Sequence, residues 1–343
     1  MSKRKEAAAA AAQPQTSRKR PRSSATGPQS LTWLLAGAAF LAVWWAYSPS
    51  LHGPFLFDDS ALPFALPSFS APLTVWLRGV RPALMFTYWA NSKLSGSDTF
   101  SYHVVNVLLH CCAAALVFFI VRRLLEWSNA MHSRRDLLAG FAAAIFLLHP
   151  MQTEAVAYLA GRSECLSVTL AYAAFAVFLY RPEPATSWRT SAAILGLFVL
   201  ALLSKEHTVA LPLLLLLTDY WWNQGSALKA LKANWRLYSP MTAGALGSVA
   251  FFWQVMLQSQ SAGFQLKDLT WYQYLFTQFR ALFVYPRMFL LPVGQDLDWD
   301  FPISRTLLDH GSIVGLVVLA ALVGAAFYYR RRFPLATYGF FVY

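Results

Sequence analysis

Of 343 residues, 57% are hydrophobic and only 13% charged, and runs of roughly 12 to 20 apolar residues recur. That composition excludes an ordinary soluble domain and points to a polytopic, all-α membrane protein. The net charge of +12 would suit a nucleic-acid binder, but seven of the 28 Lys and Arg (Lys3, Arg4, Lys5, Arg18, Lys19, Arg20 and Arg22) precede the first apolar run. Many others fall in short loops between apolar runs, so no nucleic-acid partner is expected.

In chain order, residues 1–30 are rich in Ala, Ser, Lys and Arg without an apolar period, which predicts a disordered basic cytoplasmic tail. Residues 31–343 then read as one transmembrane domain. The run Leu31 to Tyr47 ends at Tyr47-Ser48-Pro49, lacks a small-x-small cleavage site, and is expected to be an uncleaved first membrane helix. About ten residues beyond it stand two adjacent carboxylates, Asp58 and Asp59. The loop from His52 to Leu94 carries Phe55, Phe57, Phe64, Phe69, Trp76, Phe86, Tyr88 and Trp89. These suit amphipathic helices lying in the interface as a lid, or a plain interfacial aromatic belt.

Further spans are predicted near 102–121, 136–149, 165–180, 190–205, 206–222, 238–257 and 312–329. Basic residues alternate sides in step with them: Arg122, Arg123, Arg134 and Arg135, then Arg181 and Arg189, then Lys229, Lys232 and Arg236 lie with the cytoplasmic tail. Tyr272 to Leu291 is the ambiguous stretch, interrupted by Gln273, Gln278, Arg280 and Pro286. As a full crossing it would put the acidic group Asp296, Asp298 and Asp300 inside and Arg330 to Arg332 outside, so a dip into the outer leaflet is preferred. The total is eight or nine membrane helices. The chain breaks off in a further apolar segment after Phe333, as the N-terminal part of a longer protein would.

The cysteines Cys111, Cys112 and Cys165 lie in apolar segments with neither metal-ligand nor disulfide spacing; no cofactor is expected, with a divalent metal left open. His103, Asn106 and His110 recur at steps of three and four, one helical stripe facing the bundle. Without a third donor in spacing they read as hydrogen-bonding glue between helices rather than metal ligands. The apolar parts Leu137 to Leu148 and Ser191 to Leu203 are shorter than the roughly 20 residues a bilayer requires. Their outer ends should be recessed, which sinks His149, Glu154 and Arg162 after the first, and Lys205, Glu206 and His207 after the second, below the membrane surface. Ionisable groups at that depth line a wet cavity or pair with each other, for example Lys205 with Glu154 or Glu206. A carboxylate beside an acceptor hydroxyl can act as general base while Arg and Lys hold a departing phosphate, and a cavity open both to lipid and to water suits a polyprenyl-phosphate sugar.

Taken together, Phe57-Asp58-Asp59, Arg81-Pro82, Tyr102 to His110, His149-Pro150 with Thr153 to Val156, Gly161-Arg162 and Ser204-Lys205-Glu206 resemble the membrane domain of the transmembrane and tetratricopeptide-repeat-containing O-mannosyltransferases and their bacterial relatives, among the type C glycosyltransferases. The resemblance implies a helix bundle that moves a sugar, typically mannose, from a polyprenyl or dolichyl phosphate in the membrane to a protein hydroxyl on the non-cytoplasmic face. It implies a catalytic Asp58 or Asp59, carrier-phosphate contacts from Arg162, Lys205 and Arg81, and orienting roles for Glu154 and Glu206, with His103, Asn106 and His149 in support. Tetratricopeptide repeats are expected downstream and are absent from this sequence. The preferred host is a bacterial inner membrane, with the endoplasmic reticulum as alternative. The competing reading is a transporter or flippase for an anionic lipid or lipid-linked glycan, which would be expected to show inverted repeats and broken mid-membrane helices.

Overall fold

A computed structural model describes residues 29–65, 71–129, 132–258, 269–296 and 301–343. Residues 1–28 of the tail expected over 1–30, with Phe69, Asp298 and Asp300, lie outside the described residues, while Gln29 and Ser30 are already helical. Every regular element among those described is a helix. The chain divides into two compact units, Met1–Ala39 and Phe40–Tyr343. The first is described from Gln29, where α1 (Gln29–Tyr47) begins.

The unit Phe40–Tyr343 continues through α2 (Leu73–Trp76), α3 (Pro82–Ser95), α4 (Thr99–Trp127), α5 (Arg135–Leu148), α6 (Thr153–Ala157), α7 (Arg162–Leu179), α8 (Trp188–Leu202), α9 (Leu211–Thr218), α10 (Ala227–Ala233), α11 (Trp235–Gln258), α12 (Trp271–Ala281), α13 (Val284–Leu290), α14 (Ser312–Tyr329) and α15 (Pro334–Val342). Among the described residues, three helices are long and apolar enough to cross a bilayer: α4, α7, and α14 with its leading turn from Asp309. The expected count of eight or nine is thus not confirmed; two of the expected spans, α5 and α8, have only 14 and 15 residues. At about 1.5 Å per residue they span little more than 20 Å. The stretch 272–291 is broken at Leu282–Phe283 into the 11-residue α12 and the 7-residue α13, neither of crossing length.

Helix α4 organises the bundle and lies against both α5 and α7. Asp98 caps its first turn by accepting from the Phe100 N–H at 3.2 Å. Its buried side chains His103, Asn106, Val107, His110, Ala113 and Ala114 repeat at three and four residues, so one stripe meets its neighbours. Phe175 and Phe178 of α7, Ile194 and Phe198 of α8, Leu215 of α9 and Met241 of α11 close one core. In lipid such a core is held by packing, since the surroundings are as apolar as the side chains.

A second core lies under the first long loop, where Phe64, Trp76, Leu84, Tyr88, Tyr102 and Leu159 are buried together. Of the loop aromatics expected to lie in an interfacial lid or belt, Phe64, Trp76 and Tyr88 are therefore internal, while Phe57 and Phe86 are exposed. The loop folds down on the bundle because stacked rings bury more area against one another than they would as a scattered belt, with Phe64 and Tyr102 centroids 4.6 Å apart.

A buried polar knot holds the other end of the bundle. Asp219, fully buried, pairs with Arg181 and accepts from Tyr238 and from Asn234, both at 2.9 Å. Arg181 also donates to the Phe178 carbonyl at 2.6 Å. Sequence reading treated Arg181 as a loop charge and passed over Asp219. Only the fold brings residues 181, 219, 234 and 238 together.

Candidate functional site

The segment carrying the two aspartates is a short 3₁₀ turn, Phe57–Ala61, entered through Phe57 at φ 45°. A bulky residue in the left-handed region costs about 1–3 kcal/mol and persists where surrounding contacts impose it. Here the contacts are hydrogen bonds to Asp59. Its Oδ1 accepts the Ala160 N–H at 2.7 Å and its Oδ2 accepts the Leu56 N–H at 3.2 Å, and the residue is 1% exposed. Burial pushes the Asp59 carboxyl above the usual aspartate range and the neighbouring Asp58 pushes the same way, against the pull of the backbone N–H groups. Asp58 is exposed, and its backbone N–H donates to the Tyr158 hydroxyl at 2.9 Å. The two carboxylates thus differ: one is sunk beside a cavity, the other faces outward.

Ala160 belongs to the turn between α6 and α7, and Gly161 makes that turn possible. A Cβ there would lie 2.5 Å from the Ala155 carbonyl and 2.9 Å from that of Tyr158. One residue on, Arg162 is fully buried. It donates to Asn106 Oδ1 (3.0 Å), Asn91 Oδ1 (2.8 Å) and the carbonyls of Tyr102 (2.9 Å) and Thr87 (3.4 Å), with its guanidinium 4.5 Å from the Tyr88 ring centroid. No carboxylate pairs with it among the described residues. Asn106 in turn donates to the Tyr158 carbonyl at 3.2 Å, so α3, α4 and the Asp59 turn are tied through one cation.

The other two expected cations stand at the start of α3 and the end of α8. Arg81 makes a fork on Glu206 with contacts of 2.9–3.2 Å, both side chains about a third exposed. Burial pushes Glu206 up, but its own backbone N–H and the Arg81 guanidinium outweigh that and hold it below the usual carboxylate range. Lys205 pairs with Glu164, which His207 also approaches at 3.6 Å. The sequence offered Glu154 or Glu206 as partner for Lys205; Glu164, in the first turn of α7, takes that place instead. Glu154 forms no ion pair among the described residues and is exposed.

A cavity of about 760 Å³ opens beside this turn. Asp59, His103, Glu154 and Tyr158 lie on one side of it and Gln278, Val284, Tyr285 and Met288, from α12 and α13, on the other. His149 secures that second wall. Its ring stacks on Phe289 at 4.8 Å, and Nδ1 accepts the Met151 N–H at 3.2 Å. Nδ1 is thereby an acceptor, so Nε2 carries the proton and donates to the Phe289 carbonyl at 2.8 Å. The structure accordingly brings Asp59, His103, Glu154 and, through α13, His149 to one cavity. Arg81, Lys205 and Glu206 form a separate cluster of ion pairs, and Arg162 and Asn106 sit inside the protein. Tyr158, Asn91 and Glu164 are additions. Tyr158 and Asn91 carried no signal in the sequence, since a tyrosine in a loop and an asparagine in a helix are ordinary until the turn at Gly161 forms. Among the described residues no group of three or more His, Cys, Asp and Glu could hold a metal ion.

Comparison with known proteins gives one consistent result. The chain is 33% identical over 221 residues to Protein O-mannosyl-transferase Tmtc1 of Drosophila melanogaster, covering 59% of this chain and 24% of that protein. It is 32% identical over 178 residues to Protein O-mannosyl-transferase F38B6.6 of Caenorhabditis elegans, covering 47% and 24%. To Protein O-mannosyl-transferase TMTC1 of Homo sapiens it is 30% identical over 174 residues, covering 46% and 18%. The matched segment spans about a quarter or less of these relatives. No family model matches, and no solved structure matches.

Proposed function

We propose that this chain, similar over part of its length to protein O-mannosyl-transferases, is the membrane-embedded part of a glycosyltransferase that moves mannose from a polyprenyl- or dolichyl-phosphate carrier to a protein hydroxyl. Asp59 is the base in this reading. The observation that carries it is the placement of a buried, backbone-anchored carboxylate, raised above the usual aspartate range, on the wall of a large cavity.

Asp59 takes the proton from the acceptor hydroxyl as its oxygen bonds to the anomeric carbon. The bond from that carbon to the carrier phosphate breaks, and the electron pair leaves with the phosphate. Arg81, by its fork, and Lys205, as a point charge, stabilise that phosphate, exchanging part of their contacts with Glu206 and Glu164 for it. Arg162 acts from inside as a positioning residue, because its donors are already taken by Asn91, Asn106 and backbone carbonyls.

The test is transfer of labelled mannose from a polyprenyl-phosphate donor in membranes carrying the full chain. Asp59→Asn should lower the rate by about 10²–10⁴-fold, the span of general-base catalysis, with Asp58→Asn much less affected. Undiminished transfer by Asp59→Asn would end the proposal.

A further inference from the structure

The cavity beside Asp59 is poorly suited to a phosphate. Among its described lining residues are three carboxylates, Asp59, Glu154 and Asp296, and neither a lysine nor an arginine. Of the cations expected to hold a phosphate, Arg81 is on Glu206, Lys205 on Glu164 and Arg162 on internal acceptors, while Arg280 on α12 donates to the Pro302 carbonyl and Ser304. A like-charged phosphate would be repelled from such a wall, whereas a cation would be drawn to it.

His103 gives an independent indication of a ligand. It is 3% exposed, its ring forms part of the cavity wall, and its nitrogens make no well-formed hydrogen bond, the backbone of Gly53 and Ala157 giving only weak contacts. A buried imidazole left unpaired is costly, and such groups in folded proteins call for a partner. An incoming hydroxyl or peptide group reaching the ring would supply one. On the opposite wall Val284, Tyr285 and Met288 supply a largely apolar patch, tied in place by the bond between His149 and the Phe289 carbonyl. The cavity therefore combines hydrogen-bonding capacity, acidity and an apolar side, which together match a polypeptide segment.

We propose that this cavity is the acceptor subsite and that it takes a polypeptide in which the receiving Ser or Thr lies next to Lys or Arg, with His103 hydrogen-bonding the segment and Glu154 meeting its cation. The inference rests on the reading of Asp59 as base. The donor phosphate is then handled by the separate Arg81 and Lys205 cluster, so the two substrates approach the turn at Asp59 from different sides.

Binding is measured first without any donor, using the full chain in lipid nanodiscs and fluorescent Ser-containing peptides of equal length flanked by Lys, by neutral residues or by Glu. The Lys-flanked peptide should bind about tenfold tighter than the neutral one and the Glu-flanked one weakest, a preference that shrinks with added salt. Glu154→Gln, a change at an exposed side chain, should remove most of that preference. His103→Gln should weaken binding of the Ser peptide, and His103→Phe, which keeps the ring volume, should weaken it at least as much. Equal affinities for the three peptides, an unchanged preference in Glu154→Gln, or displacement of the bound peptide by polyprenyl phosphate would each overturn the assignment. Mannose transfer is read separately. Charge-sorted binding with no transfer would remove the catalytic reading and leave the subsite; efficient transfer with no sorting would remove the subsite alone.

Discussion

Asp59 and Arg162 are both buried, yet their burial has different consequences. The Asp59 carboxylate opens on a cavity, so its raised pKa bears on reactivity: as the pH falls through that pKa the base is protonated and transfer should be lost, on a limb lying above the ordinary aspartate value of 3.8. The same shift has a stability consequence of opposite sense. A carboxyl whose folded pKa is raised opposes folding when ionised, so stability should fall as pH rises through the window between its unfolded and folded values, and Asp59→Asn should lack that fall. Thermal unfolding of the two proteins across pH 3 to 8 checks it. Arg162 by contrast feeds no cavity, and its worth is the four acceptors it satisfies. Arg162→Lys keeps the charge but loses the fork, leaving Asn91 or Asn106 unpaired. We expect a loss of about 2–4 kcal/mol in unfolding free energy. A melting temperature equal to that of the native protein would contradict this.

At the scale of elements, two glycines set how closely segments meet around the cavity. Gly161 allows the turn that presents the Ala160 N–H to Asp59. Gly161→Ala should displace that turn and lower transfer well beyond any change in stability, which for a crowded site is about 1–3 kcal/mol. Gly315, on α14, lies against α12, where a Cβ would fall 2.1 Å from the Phe279 carbonyl. Since α12 supplies one wall of the cavity, Gly315→Ala should raise the acceptor KM while the donor KM stays near its native value. An equal rise in both would argue against α12 as an acceptor-side wall. Arg81→Ala should act in the reverse direction, cutting kcat/KM for the donor by about 10- to 100-fold, the worth of one or two charge-assisted hydrogen bonds.

For the molecule as a whole, the short α5 and α8 explain how charged loops come to lie deep. Helices of 14 and 15 residues fall short of a hydrocarbon core about 30 Å thick; the segment after the first is bonded back to α4 through Asn106 and the Tyr158 carbonyl, and Lys205 after the second pairs with Glu164 at the start of α7. In the topology proposed from the basic loops, that end lies on the non-cytoplasmic face and α12 and α13 stay on the same side. In a cysteine-free background, a single cysteine at position 58 should react with a membrane-impermeant maleimide from outside, and one at position 332 only after permeabilisation. Labelling of 332 from outside would mean that the stretch 272–291 crosses the membrane.

Composition and period were enough to make this a helical membrane protein, because apolar runs and the alternation of basic loops are local properties that lipid reads directly. The stripe of His103, Asn106 and His110 was legible for the same reason: a helix puts steps of three and four on one face whatever else it touches. The pairing of charges was not. Whether Lys205 meets Glu154, Glu206 or Glu164 depends on which helix end the fold packs beside it, and whether Arg162 faces a ligand or the interior depends on Asn91, Tyr88 and Tyr102, up to 74 positions away in the chain. Likewise two adjacent aspartates look alike in sequence. It is the turn at Gly161, returning a backbone N–H from a hundred residues downstream, that buries one of them and leaves the other in the open.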